Sequence, residues 1–282
     1  MTATTASSPR TPDARPAPTW MSMTLNRFVV EVKEFVRSRE QMIFIFAFPM
    51  LFLLLFGSVF GGQVLEPTDV TFAQYFLPGM IATGIANTGF QSLAMSIAID
   101  RDEDVLKRIY ASPLPTTSFF AARIAQVLVV SIIQIAVLIA LGVAIYDVAL
   151  PTDAGRWWTF TWVFLLGTAA STTLGFAMSS LLRNAKAGSA IVTPIVLVLQ
   201  FTSGVFLVYT QLPVFLQRFA EIFPLKWLAQ GMRSVFLPED FAMAEARGSW
   251  EHPATAIVLT LWVIVGLFLA IRTFRWMRHD DH

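Results

Sequence analysis

Six long apolar runs, separated by shorter polar segments, dominate the pattern of this 282-residue chain. Each run is continuous rather than alternating, and each approaches the roughly 20 residues that a helix needs to cross a bilayer. The pattern therefore predicts an all-α integral membrane protein with six transmembrane helices, not the alternating strands of a membrane barrel. The predicted spans are 42–62, 76–99, 119–145, 157–182, 188–208 and 254–271.

A strongly charged stretch, residues 100–115, separates the second and third runs. Seven of its first nine residues are charged, so it cannot lie in hydrocarbon. It also contains an apolar set, Val105, Leu106 and Ile109, and it ends in a Pro-x-Pro stop. The stretch predicts a short helix that lies against something outside the membrane.

The segment before the first run, residues 20–41, has the period of an amphipathic helix. We expect this helix to lie in the inner interface, with its basic residues near anionic headgroups. Its apolar side is formed by Met21, Leu25, Phe28, Val29, Val32 and Val36. Its polar side is formed by Asn26, Arg27, Lys33, Glu34 and Arg37.

Residues 211–236, between the fifth and sixth runs, are apolar but interrupted by Pro213, Pro224 and Gly231. Each half is too short to cross a bilayer, so the segment predicts a re-entrant helical hairpin that dips into the outer leaflet. Three charged side chains are expected near the surface, where snorkelling is favoured over pairing: Arg218, Glu221 and Lys226.

Composition and charge agree with a multi-pass protein of the plasma or inner membrane. The chain is 55% hydrophobic and 14% charged, with a mean hydropathy of +0.63. With both termini in the cytoplasm, 15 of the 20 basic residues fall on the inner side and 5 on the outer side. Residues 1–19 predict a disordered cytoplasmic tail, residues 42–272 the membrane domain, and residues 273–282 a second cytoplasmic tail.

Several kinds of chemistry are excluded or disfavoured by what the sequence lacks. It contains no G-x-x-x-x-G-K-[ST] motif for ATP and no cysteine, and its net charge of +1 gives no indication of nucleic-acid binding. The predicted spans carry no His, Asp, Glu or Lys well inside, which disfavours an intramembrane hydrolase and an ion-coupled carrier. We therefore expect no enzyme activity, cofactor or metal in this chain alone.

Small polar residues in the fourth span predict close packing and interhelical hydrogen bonds: Ser171, Thr172, Thr173, Ser179 and Ser180.

Four short motifs, in order along the chain, carry a resemblance to the permease subunits of ABC-2 type transporters, especially the daunorubicin-resistance-like multidrug and lipid exporters. The first motif, residues 48–61, begins with Phe-Pro and ends with Phe-Gly, and the second is Phe-Leu-Pro-Gly at 76–79. The third is the charged loop 101–115. The fourth is Ser-Gly-Val-Phe at 203–206, followed by Leu-Pro at 212–213, Phe-Pro-Leu at 223–225 and Met-Arg at 232–233. The loop departs from the family pattern at one place, because Asp104-Val105 stands where the family often has Gly-Thr.

The resemblance implies a half-transporter. It would assemble with a second copy of itself or a homologous permease, and with two cytoplasmic ABC ATPase subunits that bind ATP and Mg. It also implies that the charged loop is the coupling helix seated on the ATPase. The residues assigned to that helix are Arg101, Asp102, Glu103, Asp104, Val105, Leu106, Lys107, Arg108 and Ile109.

The expected substrate is a hydrophobic or amphipathic drug or lipid, which points to multidrug efflux, antibiotic resistance or lipid export. Asn87 and Gln91 lie one helical turn apart and share a face. Together with other polar and aromatic residues they form the expected substrate path: Asn87, Phe90, Gln91, Gln200, Phe201 and Thr202. For each of these residues, hydrogen bonding between helices is an equal alternative. Export of a lipid-linked glycan and ion-coupled secondary transport are the alternative functions.

Overall fold

The computed structural model describes residues 19–66, 68–182, 184–274 and 276. The predicted tails therefore lie largely outside the described residues. The structure is 80% helix, and within the described ranges the only β-type pairing is an isolated antiparallel bridge between Val64 and Thr71. The predicted all-α class is confirmed.

The helices follow one another in the order of the apolar runs. They are α1 Trp20–Arg37, α2 Arg39–Phe60, α3 Phe72–Ala86, α4 Leu93–Asp102, α5 Val105–Tyr110, α6 Thr116–Tyr146, α7 Ala154–Ser179, α8 Ala185–Thr202, α9 Val214–Glu221, α10 Pro224–Phe236 and α11 His252–Thr273. A π-helical segment, Asn87–Ser92, joins α3 to α4, and short 3-10 turns occur at Tyr209–Gln211 and Glu239–Ala244.

Four of the helices, α2, α6, α7 and α11, are long and apolar enough to cross a membrane. They correspond to the first, third, fourth and sixth predicted spans. The residues of the second predicted span form a continuous helical run, because the backbone at Ala86, Asn87 and Leu93 stays in the right-handed helical region across the π segment. The change from α-helix to π-helix and back divides this run into α3, the π segment and α4, each of which is shorter than a full span.

The fifth predicted span is shorter than expected, since α8 ends at Thr202 rather than near residue 208. Gly204 takes φ +72, a left-handed conformation that glycine adopts without steric cost. A Cβ atom at this position would lie 2.6 Å from the Cβ of Tyr209. The chain therefore turns sharply here and enters the Pro-containing segment instead of continuing the helix.

The main core surrounds α3 and α10. Residues 75–85 of α3 are all buried, and α10 packs against α3, α7 and α11. Every residue of α10 from Leu225 to Phe236 is buried as well. The second half of the predicted hairpin is thus enclosed by the protein, and the expectation that Lys226 lies near the surface is wrong.

Helix α7 makes the close contacts that its small residues predict. A Cβ on Gly175 would lie 2.3 Å from the carbonyl oxygen of Gly89, so α7 and the π segment approach backbone to backbone. The hydroxyls of Thr172 and Ser179, however, donate within α7 to the carbonyls of Thr168 and Phe176. Close packing is confirmed, whereas these two hydroxyls do not form the expected interhelical hydrogen bonds.

Helix α1 is present as predicted, but the side that it buries against the rest of the protein carries polar residues. Thr24, Glu31 and Phe35 are buried where α1 packs on α6. The apolar stripe, including Met21 and Leu25, stays exposed on the outside of the chain. This arrangement leaves the apolar stripe free to contact lipid while polar groups join α1 to the protein.

Candidate functional site

The first part of the site is a buried ion cluster where α1, α4 and α6 meet. Nη1 of Arg123, on α6, lies 2.7 Å from Oε2 of Glu31 on α1. Arg123 also forms a close ion pair with Asp100 on α4 and donates to Oγ of Ser96 at 2.8 Å. A buried charge requires such partners, because an unpaired one carries a large desolvation penalty.

Glu31 connects Arg123 to a second arginine on α1. Its side chain is fully buried and its Oε1 also lies 2.5 Å from Nη2 of Arg27, one turn earlier on α1. Burial raises the pKa of the Glu31 carboxyl, while the guanidinium groups of Arg123 and Arg27 oppose that shift. Both guanidinium groups also lie 5.7 Å from the ring centroid of Phe119. The cluster therefore joins the amphipathic helix to the start of α6.

The charged loop contains the short helix that the sequence predicts, α5, which has only six residues. It follows α4 after a sharp turn at Asp104, which has φ +57 in the left-handed region. Glycine is the residue best suited to this conformation, and aspartate is among the few others that adopt it readily. Asp104 thus occupies the position at which the family pattern has glycine, and the departure from that pattern preserves the turn.

One side of α5 packs against the rest of the protein. Leu106 is fully buried in a hydrophobic cluster with Phe119 and Phe176. The rings of Tyr110 and Trp276 lie 5.6 Å apart, so the chain beyond α11 contacts α5 as well. Leu106, one of the residues assigned to the coupling helix, therefore packs in the protein's own core and not against a separate partner.

Arg101 also points inward. It is buried near the end of α4, and its Nη1 donates to the carbonyl oxygen of Ser179 at 2.7 Å. This bond joins α4 to the C-terminal end of α7, where a cation is favoured by the helix dipole. The remaining assigned residues lie on the accessible side: Glu103, Asp104, Lys107 and Arg108 are exposed, and Asp102, Val105 and Ile109 are half-buried.

The second part of the site is a cavity of about 300 Å³ between α2, α4 and α8. Asn87 and Gln91 both line it, in agreement with their predicted common face. Nε2 of Gln200 donates to Oδ1 of Asn87 at 3.1 Å, and Nε2 of Gln91 donates to Oγ1 of Thr193 at 3.2 Å. These polar groups therefore cross-link α8 to the π segment at the wall of the cavity.

The other four residues of the expected path do not line this cavity, and Gln200 is connected to it only through its bond to Asn87. Phe90 lines a separate apolar cavity that adjoins α7 and α11. Phe201 is 45% exposed, and its ring centroid lies 4.9 Å from that of Phe206. Thr202 is buried and donates to the carbonyl of Val198 within its own helix. The structure thus groups Asn87 and Gln91 with Gln200, and separates them from Phe90, Phe201 and Thr202.

Sequence reasoning missed a polar stripe along the second helical run. Thr88, Ser92 and Ser96 precede Asp100 at four-residue intervals, and this spacing was the signal that could have revealed it. Oγ1 of Thr88 donates to Oε1 of Gln134 on α6 at 3.2 Å. Nε2 of Gln134 in turn donates to the carbonyl of Ile45 on α2 at 2.6 Å, so one side chain joins three helices.

Sequence reasoning also missed the pairing of the cations on α10. The side chain of Arg233 is fully buried, and its Nε lies 2.6 Å from Oε1 of Glu245. Nζ of Lys226 donates to Oε1 of Gln230 at 2.6 Å and lies 3.7 Å from Oε2 of Glu251. Both carboxylates belong to the segment after α10, so these pairs close that segment over the helix. Snorkelling, the favoured expectation for Lys226, is therefore wrong.

A multi-pass helical membrane protein is the class of protein that these features define, and comparison with known proteins specifies the family. The chain matches the ABC-2 type transporter family over residues 28–237. It is similar to the inner membrane transport permease YadH of Escherichia coli strain K12, at 23% identity over 221 residues that cover 76% of this chain and 83% of YadH. It is also similar to the putative transport permease ycf38 of Porphyra purpurea, at 23% identity over 228 residues that cover 78% of each chain.

Because the family match covers most of its length, this chain belongs to the ABC-2 type transporter family. Its apolar helices and its permease relatives support a multi-pass membrane protein. Membership further supports the role of membrane subunit of an ABC transporter, which implies pairing with an ATPase subunit.

Proposed function

We propose that this chain is the permease of an ATP-driven exporter, in which α5 receives the movement of a separate ATPase. The observation that carries this proposal is the two-sided character of α5. Its charged side is exposed, while Leu106 on its other side is buried in the permease core. A helix held in this way moves together with the membrane helices, whereas a solvated loop would not.

The path from α5 to the cavity runs along one helical segment. Only two residues, Glu103 and Asp104, separate α4 from α5, and α4 continues through the π segment to α3. Asn87 and Gln91, at the wall of the cavity, belong to that π segment. A displacement of α5 would therefore reach the two hydrogen bonds that join this segment to α8.

The ion cluster around Arg123 supports the same path. It joins α4 to α1 and α6 close to the point at which α4 gives way to α5. Arg101 adds a bond from α4 to α7. A push on α5 would thus be shared by four helices, which is what a rigid transmission of movement requires.

The cavity supports a hydrophobic or amphipathic substrate, a drug or a lipid. Its volume of about 300 Å³ lies at the lower end of the range for small-molecule sites, about 300–1,000 Å³. Apolar side chains such as Phe44, Ile45 and Met95 share its wall with the amides of Asn87 and Gln91. Multidrug efflux with resistance to antibiotics, or export of a lipid, would be the cellular outcome.

The proposed complex has two permease copies, or one copy with a homologous permease, and two ATPase subunits that hold ATP and Mg. Each permease crosses the plasma or inner membrane six times, with both termini in the cytoplasm. The continuous run Phe72–Asp102 provides the second span and α8 the fifth. The pair α9 and α10 forms the re-entrant hairpin, because its helices have only 8 and 13 residues.

Purification of the tagged protein from its native membrane in mild detergent tests this proposal. We expect a P-loop ATPase to copurify at one-to-one stoichiometry. Its absence under several detergent conditions would overturn the proposal. A carbohydrate-binding extension on the recovered ATPase would instead indicate export of a lipid-linked glycan, and transport that persists without ATP would indicate a secondary carrier.

A further inference from the structure

The cavity that contains Phe90 is distinct from the proposed substrate path. It lies between the π segment, α7, α8, the start of α10 and α11, and its volume is about 150 Å³. The side chains that define it are Phe90, Leu174, Ile195, Leu199, Leu228 and Trp262. None of these six residues lines the larger cavity that holds Asn87 and Gln91.

We propose that this cavity binds an acyl chain of a membrane phospholipid. Its lining is apolar except for the hydroxyl of Ser171 and the indole nitrogen of Trp262, and that nitrogen is already bonded to the carbonyl of Ile222 at 2.8 Å. Apolar cavities of about 150 Å³ stay dry and take up apolar ligands. Water is therefore a poor occupant of this space.

The size of the cavity favours a chain over a compact drug. Sites for small molecules usually measure about 300–1,000 Å³, which is at least twice the volume found here. A flexible acyl chain can place only its terminal part in such a slot and leave the rest in the bilayer. In a membrane, acyl chains are also the apolar ligand present at the highest concentration.

The cavity is placed so that a chain can enter from the bilayer. Ile195 at its rim is 39% exposed, and the neighbouring residues of α11, Leu261 and Ile264, are 54% and 60% exposed. These side chains belong to apolar helices long enough, or nearly long enough, to cross a membrane. The rim therefore faces hydrocarbon rather than the interior of the protein.

Positive charge lies near the same rim, at the point where Phe223 enters the cavity wall. Arg218 and Arg247 both pair with Glu221, two residues before Phe223, at 3.2 and 3.5 Å. Arg247 also pairs with Glu251 at 2.8 Å, so each arginine already has a carboxylate partner. Their side chains are 69% and 51% exposed, and a guanidinium group has five N–H donors, so both arginines keep donors for a further oxygen ligand. A phosphate group suits this position, which makes a phospholipid the matching ligand.

Photolabelling of the full-length protein tests the proposal. The protein would be reconstituted in vesicles of phosphatidylethanolamine and phosphatidylglycerol, with a phosphatidylglycerol that carries a diazirine at the end of one acyl chain. After irradiation, labelled residues are located by mass spectrometry. We expect label on Phe90 and Leu174 inside the cavity. Label confined to outward-facing residues such as Ile264 and Ile271 would overturn the proposal.

A pair of matched variants on α8 sharpens the test. Leu199→Trp fills the cavity, whereas Leu197→Trp makes the same change at a side chain that is 44% exposed and does not line it. We expect Leu199→Trp to lose the label on Phe90 and Leu174, and Leu197→Trp to retain it. Retention of this label in folded Leu199→Trp would contradict the proposal. If Leu199→Trp does not fold, the label map of the unaltered protein decides alone.

Discussion

The two ends of the molecule both bury ion pairs but use them differently. At the α5 end, Arg123 joins Glu31 and Asp100, which lie on two other helices. At the α10 end, Arg233 pairs with Glu245 only 12 residues later, so the bond closes one local segment. The first arrangement links elements that can move together, and the second holds a cap in place. We therefore propose that the same interaction serves transmission in one place and rigidity in the other.

The largest effect should follow from breaking the α10 pair. Glu245→Gln removes the negative charge opposite Arg233, whose side chain is fully buried. An unpaired buried charge of this kind costs about 3–5 kcal/mol, so we expect a large fall in thermal stability in detergent. The matched control is Glu239→Gln in the same segment, where an exposed substitution should change stability by less than about 0.5 kcal/mol. Equal melting temperatures for the two variants would contradict the assignment of a rigid cap.

A smaller loss of stability, with a loss of coupling, should follow at the α5 end. Glu31→Gln weakens the pairs with Arg27 and Arg123 but leaves Arg123 with Asp100, so we expect a cost of about 1.5–3 kcal/mol, the range for hydrogen bonds to charged groups. Because α1 is then held less firmly, transport per ATP hydrolysed should fall in the reconstituted complex. Glu34→Gln is the control, since its carboxylate is half-exposed and 3.9 Å from Arg27. An unchanged ratio of transport to ATP hydrolysis in Glu31→Gln would show that the ion cluster takes no part in transmission.

The turn between α4 and α5 offers a third test. Asp104→Val places a β-branched residue at φ +57, where the left-handed conformation costs about 1–2 kcal/mol. Asp104→Gly should keep the turn and the transport activity, and it serves as the matched control. Comparison of thermal stability and transport in the two variants distinguishes a conformational role from a role of the carboxylate. Loss of transport in Asp104→Gly would assign the function to the carboxylate instead.

The smallest expected effect concerns the amides at the cavity wall. Asn87→Ala, Gln91→Ala and Gln200→Ala together remove two helix-to-helix hydrogen bonds. Since each is worth about 1 kcal/mol net, we expect a modest loss of stability and a several-fold change in efflux. Efflux from vesicles at saturating ATP is the measurement. A loss of stability with unchanged efflux would favour the alternative that these residues only join helices.

The sequence predicted those parts of the fold that depend on local composition. Helices α2, α6, α7 and α11 coincide with continuous apolar runs because burial in a membrane is decided by hydropathy over about 20 residues. The π segment was not predicted, since hydropathy does not distinguish a π helix from an α-helix, and its close contact with α7 at Gly89 is visible only in the structure. The end of α8 was missed for a different reason: Gly204 lies inside the apolar run 188–208, and its left-handed conformation is visible only in the structure.

The candidate site was predicted in position but not in its contacts. The charge density of residues 100–115 located α5, and the glycine of the family pattern is explained by the φ angle of Asp104. The inward orientation of Leu106 depends on Phe119 and Phe176, which come from two other helices. Lys226 was expected to snorkel because its partner, Glu251, lies far along the chain and only the fold brings the two together.

The most direct test of transmission through α5 reverses the charge of its exposed side with Glu103→Lys and Arg108→Glu in the complex with its ATPase. Both side chains are exposed, so the permease should fold normally, although Arg108 also donates to the carbonyl of Glu103. The control, Glu239→Lys with Asp240→Lys, changes two exposed charges near α10. We predict that ATP hydrolysis continues in the α5 variant while transport is lost, and that the control retains both. Full transport in the α5 variant would contradict the account.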